Sequence, residues 1–320
     1  MKKIRVPELL TLLLAVFIFS CNLKKHPDYS PTEGNLDVYC AESVAPSVTK
    51  IAEDFMGLYQ KAHIVVHAVP TRTAIVKLLN NETTLAVCSR PFNQGELDVI
   101  KKFNIEVDST RVALDGVAII VNHSNPLAQI NTSQLRDIFT GKATRWRNLD
   151  PNLSGRIIPA LESPNSGTVE FFQSRVMKGE KFSEAYPCSS MSNVYSFVRD
   201  NRYAIGFISA DWLTNGSTLL PSKKDPPKAL DVAEVDSTAM GYIDPNVFGA
   251  YHYPWPANIG RKYYPLTRPI IFYSRDFNLG LAAGFLTYAA GNRGQKIFLD
   301  NGLVPMTVPV NYVQLNNQPL

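Results

Sequence analysis

Ser166, Gly167 and Thr168 set two hydroxyls around a glycine just ahead of an apolar-periodic stretch. The start of a helix presents unpaired backbone N–H groups and a partial positive charge, and a glycine lets the chain come close to a guest. The triplet therefore suits an oxyanion. The same residues also make an ordinary N-cap and turn serving only the helix. Three further sets have similar character. Glu42 and Ser43 follow NLDVYC and an alanine, Thr71, Arg72 and Thr73 follow AHIVVHAV and a proline, and Ser89 and Arg90 follow LAVC. Arg offers a forked pair of donors to two oxygens, so hydroxyls interleaved with arginine read as anion-binding chemistry. Arginines that are solvated, or paired with structural carboxylates, are the alternative.

Other chemistries find less support. Gly141-Lys142 with Thr144 has the outline of a phosphate-binding P-loop, but Arg136 stands where its first glycine belongs. There is no GxSxG elbow, and His26, His63, His67, His123 and His252 show neither metal-ligand spacing nor an obvious triad. Cys40, Cys88 and Cys188 lack CxxC or His spacing. Cys40 and Cys88 end strand-like runs and either form a disulfide or stay as two buried thiols. No metal site and no cofactor is expected. Tyr251, Tyr253, Trp255, Tyr263 and Tyr264 line a partner surface or pack locally.

The elements that must position these groups follow from periodicity. Asn35 to Cys40, Ala62 to Val69 and Leu85 to Cys88 read as strands, alternating with helices over Ser47 to Tyr59 and Thr73 to Leu79 and with one opened by an Asn93/Glu96 capping box. Strand–helix alternation means an open α/β sheet with parallel crossovers, and such sheets bind ligands beyond the carboxyl ends of their strands. Each candidate set lies at such an end. Val112 to Asn122 is a long strand, continuously apolar over Val117 to Val121 as expected when both faces are buried. A second α/β series then follows: a helix over Ser133 to Phe139 capped by Thr132 or Ser133, a strand over Arg156 to Leu161, a helix over Thr168 to Val176 and a strand over Tyr203 to Ile208. Arg268 to Ser274 forms another strand, and Leu279 to Ala290 and Arg293 to Asn301 two helices. The stretch Tyr242 to Tyr264 reads as an irregular surface excursion.

Composition agrees with two lobes. The 320 residues are 45% hydrophobic and 19% charged, with a net charge of +4, which excludes a disordered or coiled-coil chain and gives no nucleic-acid-binding charge. At this length one core usually divides. Lys2, Lys3 and Arg5, the apolar run Leu9 to Phe19 and then Ser20-Cys21 have the pattern of a signal peptide, and the small residue before Cys21 resembles a bacterial lipobox. The resemblance implies cleavage before Cys21, lipidation of its thiol and anchorage to a membrane from the periplasm. Without residues 1–20 the chain carries 29 Lys and Arg against 27 Asp and Glu, a net +2. Residues 21–34 read as a flexible tether.

Six stretches in order carry a wider resemblance. AVCSRPF (Ala86 to Phe92), VNHSNPLAQINTSQLRDIFTGKATRWRNL (Val121 to Leu149), NSGTVEFF (Asn165 to Phe172), AIGFIS (Ala204 to Ser209), YPLTRPI (Tyr264 to Ile270) and GQKIFLDNGLVP (Gly294 to Pro305) are together similar to the phosphate-binding proteins of bacterial ABC uptake systems. The resemblance implies a type II periplasmic-binding-protein fold, with two α/β lobes joined by two crossing strands near Asp115 to Ile119 and Leu266 to Ile271. Lobe 1 would comprise residues 35–117 and 268–320, and lobe 2 residues 118–267. It further implies a non-enzymatic, monomeric solute-binding lipoprotein that closes over phosphate or a similar oxyanion and delivers it to a membrane permease. The implied ligand set is Glu42, Ser43, Thr71, Arg72, Thr73, Ser89, Arg90, Ser166, Gly167 and Thr168. The alternatives are a relative that binds another oxyanion or organic acid, or a sensory or structural lipoprotein of the same fold; a phosphate-ester hydrolase lacks a metal cluster or activated nucleophile.

The chain departs from that family at one position. Many members carry Arg four residues before the serine of SGT, where this chain has Glu162. A buried anion facing an uncompensated carboxylate is repelled by several kcal/mol. The expectation is that Arg72 or Arg90 replaces the guanidinium, and that Glu42 or Glu162 accepts the proton of a protonated phosphate, a contact sulfate cannot make.

Overall fold

The computed structural model describes residues 30–214 and 225–307. The expected leader, Cys21, most of the tether and the final thirteen residues of lobe 1 lie outside the described residues.

The chain opens with β1 (Gly34–Ala41), a single 3-10 turn (Glu42–Val44) and α1 (Ala45–Leu58), whose Pro46 sits in the first turn, where no backbone N–H is needed. β2 (Ala62–Val69), α2 (Thr71–Leu79), β3 (Leu85–Cys88) and α3 (Gln94–Lys102) follow. The expected capping box opens α3: Asn93 Oδ1 accepts from Glu96 N at 3.0 Å, and Glu96 Oε2 from Asn93 N at 2.8 Å. β4 (Asp108–Val121) starts four residues earlier than its apolar run and leads to β5 (Gln129–Asn131) and α4 (Thr132–Phe139). Asn131, paired with Gln134, caps α4 in place of Thr132 or Ser133, because Thr132 Oγ1 donates instead to Glu234 at 2.6 Å.

β6 (Ile158–Leu161), α5 (Gly167–Arg175), β7 (Tyr186–Pro187), α6 (Met191–Asp200) and β8 (Ala204–Ser209) complete the second series. Then come β9 (Lys228–Ala229), β10 (Asp231–Ala233), α7 (Pro256–Gly260), β11 (Thr267–Ser274), α8 (Leu281–Ala290), α9 (Asn292–Asp300) and β12 (Val304–Pro305). The stretch 242–264 is irregular as expected but not wholly superficial. Ile259 and Tyr264 are fully buried, and Tyr264 Oη donates to Val117 O at 2.8 Å.

Among the described residues ten of the twelve strands form one sheet in the order β2-β1-β3-β11-β4-β8-β6-β7, with β9 and β12 also pairing to β4, while β5 and β10 pair in parallel as a separate two-stranded sheet. β1 pairs in parallel with β2 and β3. β4 belongs to both halves of the sheet: Asp108 to Gly116 pair with β11, and Val117 to Val121 with β8. β4 and β11 are thus the two strands at which the halves meet, and they set Asp115 directly opposite Arg268. The disulfide reading fails for a reason of register. Cys40 pairs with Val87, so Cys88 points to the other face; both thiols are free and buried in separate cores.

The packing that matters for the site holds α5. Phe172 stacks on Phe207 of β8, ring centroids 4.1 Å apart, and meets Phe139 of α4 edge-on at 4.9 Å. Thr168, Val169 and Phe172 are buried along one face of that helix, so its first turn is fixed by a rigid aromatic cluster. On the other half, Ala74, Ile75 and Leu78 seat α2 against β3 and β11.

Candidate functional site

Three strand ends of the first half each supply a hydroxyl. Ser43 lies in the turn after β1, Thr71 begins α2 after β2, and Ser89 follows β3; all three are buried. Thr71 Oγ1 and Ser89 Oγ lie 3.2 Å apart. From the second half, Ser166 caps α5 by accepting from Thr168 N at 3.2 Å. Gly167 then presses its backbone onto the first half: a Cβ there would stand 2.6 Å from Ser89 Oγ and closer still to Thr71 Oγ1. Arg72 N donates across the same junction to Asn165 O at 3.3 Å. Thr168 Oγ1 and Ser43 Oγ are both buried and have no hydrogen-bond partner. Buried polar groups are almost always paired, so both hydroxyls have a hydrogen bond free for a polar guest or a water.

The expected arginines are placed differently. Arg90 forks to Glu96 through Nη1–Oε2 and Nη2–Oε1, both 2.8 Å, also donates to Pro91 O, and sets Nε against Glu170 of α5. Its guanidinium is an ion-pair hub joining the two halves, with no donor fork left for an anion. Arg72 is exposed, and with Thr73, Val76, Lys77 and Asn165 it lines an outer hollow. In this arrangement neither guanidinium is among the groups acting on the Glu162 carboxyl. Thr73 is half-buried on the same rim, apart from the enclosed hydroxyls. Glu42 is also engaged across the junction. Its Oε1 accepts from Met191 N of α6 at 2.9 Å, and its carbonyl from Trp212 Nε1 at 3.2 Å.

The electrostatics join Glu162, expected from the sequence, to a buried pair that sequence reasoning did not assign to the site, Arg268 and Asp115. Arg268 of β11 is 1% exposed, and its Nε donates to Asp115 Oδ2 at 2.9 Å. Asp115 Oδ1 in turn accepts from Ser209 Oγ at 2.8 Å and Ala210 N at 3.1 Å. Burial, reinforced by the nearby Glu42 charge, pushes the Glu162 carboxyl up to about 7, against the pull of Ser166 and Arg268. Glu162 Oε2 accepts from Ser166 Oγ at 2.9 Å. Near neutral pH this carboxyl is therefore poised between forms, able either to donate to a dianion or to accept from a protonated one. One sequence signal pointed toward the missed pair: a lone acid in VALDGVAIIV and a lone base in TRPIIF, each in an otherwise apolar strand.

The comparisons with known proteins bear on the fold and the family. A phosphate-binding protein PstS from Staphylococcus epidermidis strain RP62A is 26% identical over 261 residues, covering 80% of this chain and 74% of that protein. PstS of Staphylococcus aureus USA300 is 26% identical over 239 residues, covering 74% and 67%. Among solved structures, a Clostridium perfringens substrate-binding protein assigned to phosphate ABC transport, with bound phosphate, superposes with a TM-score of 0.71. It shares 22% identity and covers 85% of this chain and 100% of its own. An ABC-type phosphate transport receptor from Vibrio cholerae gives 0.61, again at 22% identity with 85% and 100% coverage. These likenesses establish the fold, two α/β lobes joined by two crossing strands. The PBP superfamily domain profile matches residues 28–293, and by that match the chain belongs to the PBP superfamily.

Proposed function

We propose that this protein is the substrate-binding component of an ABC-type uptake system and holds phosphate or a closely similar oxyanion between its two lobes. The observation that carries the reading is that Ser43 of the first half and Thr168 of the second both keep buried hydroxyls without a partner, Thr168 directly after the Gly167 backbone that closes on Thr71 and Ser89. The names of the relatives support phosphate and ABC transport. The ligand set we retain is Ser43, Thr71, Ser89, Ser166, Gly167 and Thr168; Glu42, Arg72, Thr73 and Arg90 are assigned to closing or lining the cleft. The moving bodies are residues 35–117 with 268–320 and residues 118–267, hinged at β4 and β11. The protein acts without catalysis, as a monomer, outside the cytoplasmic membrane and tethered by lipid on Cys21, and it hands its guest to a permease.

Titration calorimetry of the chain from residue 22 with phosphate and with sulfate tests the reading. One phosphate bound per chain is expected, with sulfate weaker because it brings no proton to Glu162. Absence of both heat and any rise in melting temperature with either anion would overturn it. A second reading, a different oxyanion or an organic acid, is favoured by Glu162 itself; it wins if another anion raises the melting temperature and phosphate does not.

A further inference from the structure

We propose that Arg268, carried on the crossing strand β11 and outside every motif expected to touch the ligand, is the guanidinium that binds the oxyanion. The inference rests on the reading of the cleft as an oxyanion site. A charge this buried is tolerated only with partners, and a guanidinium has five donors to satisfy. Asp115 satisfies little of it. Nε donates to Oδ2, Nη2 lies 2.8 Å from that same oxygen at an angle that makes no hydrogen bond, and Nη1 has no partner. Asp115 cannot do more, since Oδ1 is taken by Ser209 and Ala210.

The two other buried arginines among the described residues are differently placed. Arg90 is held by Glu96 and Glu170, and Arg175 pairs with Glu234 and lies over the Tyr242 ring. Arg268 alone of the three keeps buried terminal nitrogens without a hydrogen bond. Its position puts that fork at the candidate site. Cζ lies 5.9 Å from the ring of Phe171, which sits three residues beyond Thr168 and so on the same face of α5. Arg268 is also close enough to Glu162, the acceptor of Ser166 Oγ, to oppose the rise of its pKa. The Phe171 contact and the Glu162 interaction put the Arg268 guanidinium on the side of α5 that carries Thr168, where a guest at the first turn would meet it. Two parallel N–H donors suit a guest with two oxygens on one centre, as in phosphate or sulfate, and not a halide.

The test uses inorganic phosphate and the chain from residue 22. In wild-type protein labelled with nitrogen-15 arginine, the Arg268 side-chain resonance, assigned by its loss in Arg268→Lys, shifts on phosphate saturation. Titration calorimetry gives phosphate binding weaker by roughly tenfold in Arg268→Lys. In Arg268→Met/Asp115→Asn, which leaves no lone buried charge, binding weakens by about a hundredfold or more. If the resonance does not move while phosphate binds, or a folded double variant binds as wild type does, the assignment of Arg268 is wrong and the oxyanion reading stands. If the double variant does not fold, Arg268→Lys decides: unchanged affinity overturns the assignment and tenfold weakening supports it. If the wild type binds neither phosphate nor sulfate, the oxyanion reading falls and the assignment with it.

Discussion

Replacing Gly167 by alanine adds one methyl group where the two halves touch. That carbon would lie 2.6 Å from Ser89 Oγ, closer to Thr71 Oγ1 and 2.9 Å from Thr71 Cβ. The two hydroxyls cannot easily turn aside, because both side chains are buried and lie 3.2 Å from each other. Overfilling a packed interior costs roughly 1–3 kcal/mol, which is about 5- to 150-fold in a binding constant. The strain exists only when the halves are together, since Gly167 and its neighbours belong to opposite sides of the cleft. In the separated form the added methyl group meets none of these neighbours. Gly167→Ala is therefore expected to weaken phosphate binding at least fivefold, while the anion-free protein stays folded and no less thermally stable. Calorimetry measures the affinity, and small-angle scattering measures the compaction on adding phosphate. Affinity within twofold of wild type with compaction intact would refute the argument that this backbone contact defines the closed cleft.

Glu170→Gln removes the cross-cleft partner of Arg90 while Glu96 still holds its fork; phosphate should dissociate several-fold faster in stopped-flow experiments, with little change in association. Glu162 and Asp211 both have carboxyls pushed up to about 7 by burial, against ordinary values of 4.5 and 3.8. The folded chain thus holds protons that the unfolded chain releases near pH 4, so their contribution to stability is full below that pH and lost as pH rises through about 7. Melting temperature should fall between pH 5 and 8, with a shallower slope in Glu162→Gln. Phe172→Ala empties the space between Phe139 and Phe207 and should destabilise the chain by about 3–5 kcal/mol in denaturant titration. Cys21→Ser should move the protein from the membrane to the soluble fraction, with loss of an acyl mass from its amino terminus.

Local signals carried much of the fold. β2 and β3 have the expected bounds because each is a run of apolar and β-branched residues ended by a proline or a polar turn. The Asn93 box works because cap and partner are three residues apart. α6 went unread although Met191, Val194, Tyr195 and Val198 have helical spacing, since serines and asparagine dilute the stripe. In the site, the hydroxyls were legible because each follows a strand. The arginines were not, because a guanidinium's partners are set by distant chain. Arg90 meets Glu170 eighty residues on, and Arg268 meets Asp115 only through the register of two crossing strands.

Of the three tryptophans, Trp146 lies deep in the second half, Trp255 faces solvent, and Trp212 donates its indole N–H to the carbonyl of Glu42 on the first half. Parting the halves there would break that bond and wet the ring, shifting emission to the red. The protein thus carries its own optical gauge of opening, readable without a label once Trp255 is replaced by phenylalanine.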